Sequence, residues 1–415
     1  MKKFFKTYKS TIILLVAIIV GAIVGIVFGE KATILSPLGD VFLNLMFVAI
    51  VPLIFVSVST SIAKMKQPKR LGKIMLTIVV IFIVTSLVAV LVGLASAYSF
   101  KLVETEDGEL IKASLEDVDD VDEEEINSDE DLSILERTVS VLTVNDFQDL
   151  LSKNSIIAIL VVAILVGLAI NMSGNKAKPV QDFLESANEV IINFIKIIFY
   201  YAPIGLGAYF AALVGTYGAS IAVGYAKTFF IYTGICILFY FVIYTLYAYL
   251  SAGMKGIKVF WSNIIPATLT ALATCSSAAS IPVNVDTAKK IGVSDDIAET
   301  IVPLGTSFHK DGSIIGSVFK IMFLVYLFGS GVGIGKVLLV SLLATLLVTA
   351  VPIGGGTISE MMILTMMGFP VNALPILTII ATIIDAPATV LNVIGDTSSA
   401  MLASRIVDGK NWIEK

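Results

Sequence analysis

The stretch Pro303–Ser313, P-L-G-T-S-F-H-K-D-G-S, constrains this chain more than any other. It lies in an apolar run from about Ile301 to Phe328, long enough to cross a bilayer. Yet it sets His309, Lys310 and Asp311 side by side and follows them with Gly312. A charged side chain at membrane depth costs roughly 2.5–3.5 kcal/mol on insertion scales. Adjacent charges and a glycine there read as a helix interrupted on its way across. Unwound backbone at that depth is tolerated only where protein or a water-filled cavity surrounds it. An ion pair that merely glues helices together is the simpler alternative, but ionisable residues within spans by default mark a pathway.

Hydrophobic residues make up 57% of the chain and its mean hydropathy is +0.93. Long apolar segments recur from end to end, so the class is a polytopic helical membrane protein. The alternating code of an outer-membrane barrel is absent. The first apolar segment, Thr11–Gly29, follows Lys2, Lys3, Lys6 and Lys9; it is too long for a signal h-region and is read as a span. Cys236 and Cys275 lie in apolar or small-residue segments, and no structural disulfide is expected. The net charge of −5 is a local effect, since Lys112 is the only base in the acid-dense stretch from Glu104 to Asp131 and the remainder is basic.

Hydropathy and punctuation place spans at 11–29, 38–63, 74–100, 154–172, 181–215 and 219–252. Pro52 is expected to kink the second, and Tyr201-Ala202-Pro203 to break the fifth. Thr85–Ser86 at the centre of the third reads equally as back-bonding hydroxyls or as ligands. Residues 101–135 form a solvated loop without the D-x-D-x-D-G pattern of a calcium site, and 133–151 is amphipathic and interfacial. The pattern then changes. Residues 262–290, with T-C-S-S-A-A-S-I-P at 274–282, are too interrupted to span simply and read as a re-entrant hairpin tipped by serines. The broken span 301–328 follows, then a second interrupted pair at 336–370 tipped by V-P-I-G-G-G (351–356), then a last span at 374–400 carrying Asp385, Pro387, Asn392, Gly395 and Asp396. The expected fold is all-α, with eight transmembrane helices and two re-entrant helical hairpins. The Lys/Arg bias of the loops puts both termini in the cytoplasm and the acidic loop outside, whether or not the hairpins are re-entrant.

Hairpin then span, occurring twice from opposite sides, is the mark of inverted repeats whose discontinuous helices meet near the midplane. The chemistry suits a small zwitterion. Half-helix N-termini offer partial positive charge to a carboxylate. Asp385 offers a partner to an ammonium, and freed carbonyls with Asp311 or Asp396 offer hard oxygens to a small cation.

At these residues the sequence resembles the glutamate transporter, or dicarboxylate/amino acid:cation symporter (sodium:dicarboxylate symporter), family over nearly its whole length. The serine tip is similar to S-S-S-A-A-T-L-P, 303–313 to P-L-G-A-T-x-N-M-D-G-T, 351–356 to the second hairpin tip, and T-V-L-N-V-I-G-D at 389–396 to V-N-V-x-G-D. The resemblance implies an elevator-type homotrimer in the plasma membrane. Its scaffold would be 1–73 and 136–215, and its transport domain 74–100 and 216–415, with the acidic loop 101–135 between them. It implies that Asp385 pairs the substrate ammonium and Asn392 its carboxylate, with Ser276, Ser277, Ser313, Val351, Gly355, Ala388 and Thr389 around them. It places Thr85, Ser86, Gly305, His309, Lys310, Asp311, Asn392 and Asp396 at the cation site.

Departures from the pattern carry the specificity. Acidic-substrate members have an arginine three residues after the ammonium-pairing aspartate; here it is Ala388. An arginine fork is what a distal carboxylate wants, so the expected substrate is a neutral amino acid. Asn-Met-Asp becomes His309-Lys310-Asp311, Phe82 stands for a tyrosine and Val348 for a threonine. Imidazole nitrogen is a poor ligand for a hard ion, and the Lys310 ammonium can replace a bound cation, which leaves transport sodium-independent or proton-linked, with His309 a candidate proton carrier. Lys310 facing solvent with a sodium site intact is the competing reading. No other cofactor, no nucleic acid and no partner beyond lipid, substrate and the homotrimer is expected. Two other classes are weaker. A Ser276 or Ser277–Lys310 dyad for intramembrane proteolysis lacks an oxyanion hole, and a channel lacks a filter-like motif. Lys320 and Glu360 fall in the carrier half and could pair with each other, without an assigned place.

Overall fold

The computed structural model describes residues 9–63, 72–103, 143–152, 155–346 and 355–414. Among them every regular element is helical. The helices are α1 (Lys9–Phe28), α2 (Ser36–Ala63), α3 (Gly72–Ser99), α4 (Ile156–Ser173), α5 (Lys178–Tyr217), α6 (Ala219–Asn263), α7 (Ile265–Thr274), α8 (Ser277–Ile291), α9 (Asp295–Phe308), α10 (Asp311–Leu327), α11 (Ile334–Leu346), α12 (Gly355–Met367) and α13 (Leu374–Val407). Five helical stretches, at 12–42, 76–99, 161–216, 221–263 and 371–407, are long and apolar enough to cross a membrane. Their outer faces are apolar too: Val16, Ile19, Ile23 and Ile26 on α1, and Phe230, Leu238 and Phe241 on α6, are exposed. So many large apolar side chains on the outside suit lipid, not water.

Packing divides the helices into two sets. α5 lies along α1 and α2, and α2 along α4, with Gly21 and Gly207 so close that an added Cβ on Gly21 would sit 2.2 Å from the Gly207 carbonyl oxygen. Such small-residue crossings are how helices associate where lipid removes the hydrophobic drive. In the second set α13 is central: α6, α7, α8, α9 and α10 all pack on it, and α3 covers α10. From Ala388 to Ala400 every residue of α13 is buried, including Asn392, Asp396, Thr397, Ser398 and Ser399. A polar face so placed must satisfy itself within the protein.

The interrupted segments are where the sequence puts them. α7 and α8 form a hairpin turning at Cys275 and Ser276, and α9 and α10 are broken at His309–Lys310. α11 and α12 pack together as a pair, but their junction, with Val348 and Val351, lies outside the described residues, as do 104–142 of the acidic and amphipathic stretches. One expectation is corrected, the break at Pro203. α5 runs unbroken through Pro203, like α2 through Pro52; membrane helices tolerate proline because neighbours re-satisfy the freed carbonyl. α6 is interrupted where its span was expected to end: Ala252 (φ −154°) and Gly253 (φ 61°) are non-helical, and a second helical segment runs on across the bend to Asn263. The bend is clasped by the C-terminal turn, where the buried Trp412 donates Nε1–H to the Ser251 carbonyl at 3.1 Å.

Candidate functional site

The break in the ninth and tenth helices is short. The His309 amide closes the last turn of α9 on Gly305 O (2.7 Å), and Lys310 O accepts from Ile314 N (2.9 Å) to open α10. This leaves His309 extended, at φ −123° and ψ 113°, with its side chain driven inward. His309 is fully buried. Its Nε2 lies 2.8 Å from Thr85 Oγ1 and 3.2 Å from Asp311 Oδ1, and its Nδ1 lies 3.3 Å from Asp396 Oδ1. The ring stacks on Phe82, centroids 4.6 Å apart and planes 19° from parallel. Asp396 Oδ2 accepts from Thr306 Oγ1 (3.4 Å), and Asp311 Oδ2 from Tyr244 OH (3.1 Å), which also reaches Leu391 O at 2.6 Å. Asp311 Oδ1 has no hydrogen bond of good geometry among the described residues.

Thr85 spends its own proton on the Ile81 or Phe82 carbonyl, at 2.9 and 3.2 Å, so it meets His309 as an acceptor. Thr85 therefore back-bonds, one of the two readings open from sequence, and its Oγ1 also lies against His309. Both imidazole nitrogens then look at oxygen acceptors, an arrangement that a doubly protonated ring satisfies. Among the described residues no three Cys, His, Asp or Glu side chains are arranged to hold a metal ion. The His309 ring lies between the Asp311 and Asp396 carboxylates. Lys310 is half-buried beside it, within electrostatic reach of Asp396. Ser86 Oγ is buried with no hydrogen-bond partner among the described residues.

Gly305 makes the cage possible. A Cβ there would lie 2.2 Å from Asp396 Oδ1. Gly305→Ala is therefore expected to push Asp396 off the ring and to lower stability by about 1–3 kcal/mol, as overpacking does; a thermal-shift curve indistinguishable from that of the parent would contradict the geometry.

The second cluster lies one turn along α10. Ser313 N donates to Asn392 Oδ1 (3.1 Å) and Asn392 Nδ2 to Ser313 Oγ (3.0 Å), so the structure brings these two expected site residues together. Two turns back on α13, Asp385 is exposed although Ile384 and Ala388 on either side are buried. An exposed carboxylate on the core helix of a membrane protein suits contact with water and not with lipid. The buried Thr389 hydroxyl interacts with it, and Cys275 at the first hairpin tip is within its electrostatic reach. That tip is strained: Cys275, at φ 46°, is the only non-glycine residue with positive φ among the described residues. Ser276 caps α8, its Oγ accepting from Ala279 N at 3.2 Å, and Ser277 opens the helix. Gly355 is the first residue of α12.

Sequence reasoning missed Tyr244, Thr306 and the stacking role of Phe82. The first two carried no signal, because their partners are 67 and 90 residues away.

A model of the sodium:dicarboxylate symporter family matches residues 11–406. The chain belongs to the sodium:dicarboxylate symporter family. The chain is 28% identical to the proton/sodium-glutamate symport protein of Geobacillus stearothermophilus, over 94% of this chain and 92% of the relative. It is 26% identical to the C4-dicarboxylate transport protein of Bacillus subtilis strain 168, over 96% and 94% respectively, and 30% identical to C4-dicarboxylate transport protein 2 of Pseudomonas paraeruginosa, over 74% and 69%. The family is one of secondary transporters, and with the apolar helices it makes this a multi-pass membrane protein that moves small molecules.

Proposed function

We propose that the protein carries a small neutral amino acid across the plasma membrane, with sodium coupling reduced or absent. The observation that carries the second half is the His309 ring lodged between Asp311 and Asp396. A doubly protonated His309, about 3 Å from both carboxylates, would supply a cation's worth of positive charge, and the ring takes up volume between them. Lys310 adds a second tethered charge next to Asp396. The first half rests on Asp385, exposed and able to meet an ammonium, and on Ala388, which leaves no arginine for a distal carboxylate. The relatives named for glutamate or C4-dicarboxylates would then differ from this chain in the substrate's far end. The two packing sets support a scaffold at 1–73 and 136–215 and a carrier at 74–100 and 216–415, working as an elevator-type homotrimer with eight spans, two re-entrant hairpins and cytoplasmic termini.

Uptake into proteoliposomes tests both halves. Labelled alanine or serine should enter at rates within about twofold whether the bath holds sodium or choline, and unlabelled aspartate should compete poorly. Uptake that disappears in choline would remove the sodium-independent reading and restore a sodium-coupled symporter of amino acids or dicarboxylates, whereas uptake that persists in choline and follows an imposed pH gradient would mark proton coupling. Stronger competition by aspartate than by alanine would remove the neutral-substrate reading.

A further inference from the structure

A second buried ion pair lies beyond the site described. Lys320 Nζ on α10 donates to Glu360 Oε1 on α12 at 3.0 Å, and Thr378 on α13 donates its hydroxyl to Glu360 Oε2 at 2.9 Å. Lys320 is 7% exposed and Glu360 1%. Such a pair is a poor stabiliser, since apolar side chains of the same volume do as well or better. Ionisable groups at membrane depth are functional by default.

The register of α10 on α13 says what else the lysine can reach. The two helices run antiparallel, pinned at three points. Gly312 lies on the Ala388 backbone, where its Cβ would be 2.3 Å from the carbonyl oxygen, and Gly316 abuts Ile384 Cδ1, at 2.9 Å from its own notional Cβ. Ser313 is bonded to Asn392. Lys320 stands two helical turns after Ser313, and Asp385 stands two turns before Asn392. Antiparallel pairing brings those two positions to neighbouring levels. Helical side chains lean towards their own N-terminus, which in this register gives Lys320 a conformer directed towards Asp385 besides the one that rests on Glu360. The lysine's field does reach the Asp385 carboxylate. An ammonium has three donors, and Glu360 keeps a second partner in Thr378.

We propose that Lys320 is a tethered counter-cation for Asp385: the substrate's ammonium and the Lys320 ammonium alternate at that carboxylate, with Glu360 and Thr378 holding the lysine while substrate is bound. This rests on the reading that Asp385 takes the substrate ammonium. The consequence concerns the unloaded carrier. Without a cation, Asp385 would have to cross the bilayer as a bare carboxylate; with the Lys320 ammonium shared between Asp385 and Glu360, and Thr378 still donating to Glu360, neither carboxylate is left without a donor and the return step can occur.

The prediction separates two fluxes. In proteoliposomes, exchange of labelled for unlabelled alanine needs only loaded carriers, whereas net uptake into vesicles free of amino acid needs the unloaded return. Lys320→Met should lower net uptake by about tenfold or more while exchange stays within about threefold of the parent. The double variant Lys320→Met/Glu360→Leu removes both members of the pair. It should still exchange and still fail at net uptake, because Asp385 has lost its cover. A purely structural ion pair predicts the opposite: both fluxes fall together in the single variant and recover together in the double one. That result, or normal net uptake by Lys320→Met, overturns the proposal. A parent protein that neither exchanges nor accumulates neutral amino acids removes the reading of Asp385 and this inference with it; intact exchange with unchanged net uptake in the variant removes the inference alone.

Discussion

Asp385→Asn is expected to abolish uptake of neutral amino acids, with kcat/KM falling by about a hundredfold or more, equivalent to roughly 2.7 kcal/mol. The substitution keeps the shape of the side chain and removes its charge. A charge-assisted hydrogen bond contributes about 1.5–3 kcal/mol, and the protein around α13 raises that by lowering the local dielectric constant. Asp385 is exposed while its neighbours Ile384 and Ala388 are buried, so its charge is not tied up in the packing of its helix. Folding should survive, and a thermal-shift midpoint close to that of the parent would show it. The decisive comparison is with a substrate lacking the amine. If the physiological cargo is a plain dicarboxylate, as the names of some relatives suggest, losing one carboxylate from the site would leave its uptake unchanged or improve it. Retained alanine uptake by Asp385→Asn, or faster succinate uptake, would therefore end the ammonium assignment.

What sequence could disclose here follows from what was local. The breaks at Cys275–Ser276 and His309–Lys310 are written in adjacent residues, a polar or charged group beside small residues inside an apolar run, and they lie where the pattern puts them. The bend of α6 at Ala252–Gly253 was legible as a boundary but not as a bend, because a glycine and two lysines downstream read as a loop unless a tail is known to clasp it. Pro203 misled in the other direction, since a freed carbonyl is cheap once helices crowd around it. At the site, residue identity was legible and residue role was not. His309 and Lys310 are adjacent in the chain, and nothing in their order says which of the two turns inward. Backbone geometry decides that: His309 is extended and buried, whereas Lys310 sits at the mouth of α10 and stays half-buried. The pairing of Lys320 with Glu360 was open to sequence as two buried opposite charges 40 residues apart, but the Thr378 contact that completes the bridge was hidden, because it comes from a third helix.

Removing the imidazole is expected to turn a protein indifferent to sodium into one that sodium stabilises. In His309→Asn, Asp311 and Asp396 lose the group they share, and breaking a buried charge network of this kind costs about 3–5 kcal/mol. Asparagine supplies a hard oxygen where the ring supplied nitrogen, and its smaller volume opens space beside Thr85 Oγ1 and the two carboxylates. A monovalent cation of hard character fits such a set of oxygens. A cation that binds only the folded state stabilises it by about 2.7 kcal/mol at a hundred times its Kd, a gain of several degrees in a membrane protein of this size, on the order of the 2–4 °C per kcal/mol of a large domain. The parent should show the same thermal midpoint in sodium chloride and choline chloride at equal ionic strength. His309→Asn should melt lower in choline and recover as sodium is titrated in, and its alanine uptake should become sodium-dependent. His309→Leu, which fills the space but brings neither charge nor oxygen, should be destabilised in both salts, which separates the loss of charge from the gain of a site. A parent already stabilised by sodium, or a His309→Asn protein blind to it, would mean that the cage is not where coupling is decided. If the asparagine variant responds and the leucine variant does not, one inward-turned side chain sets whether this carrier needs a metal ion.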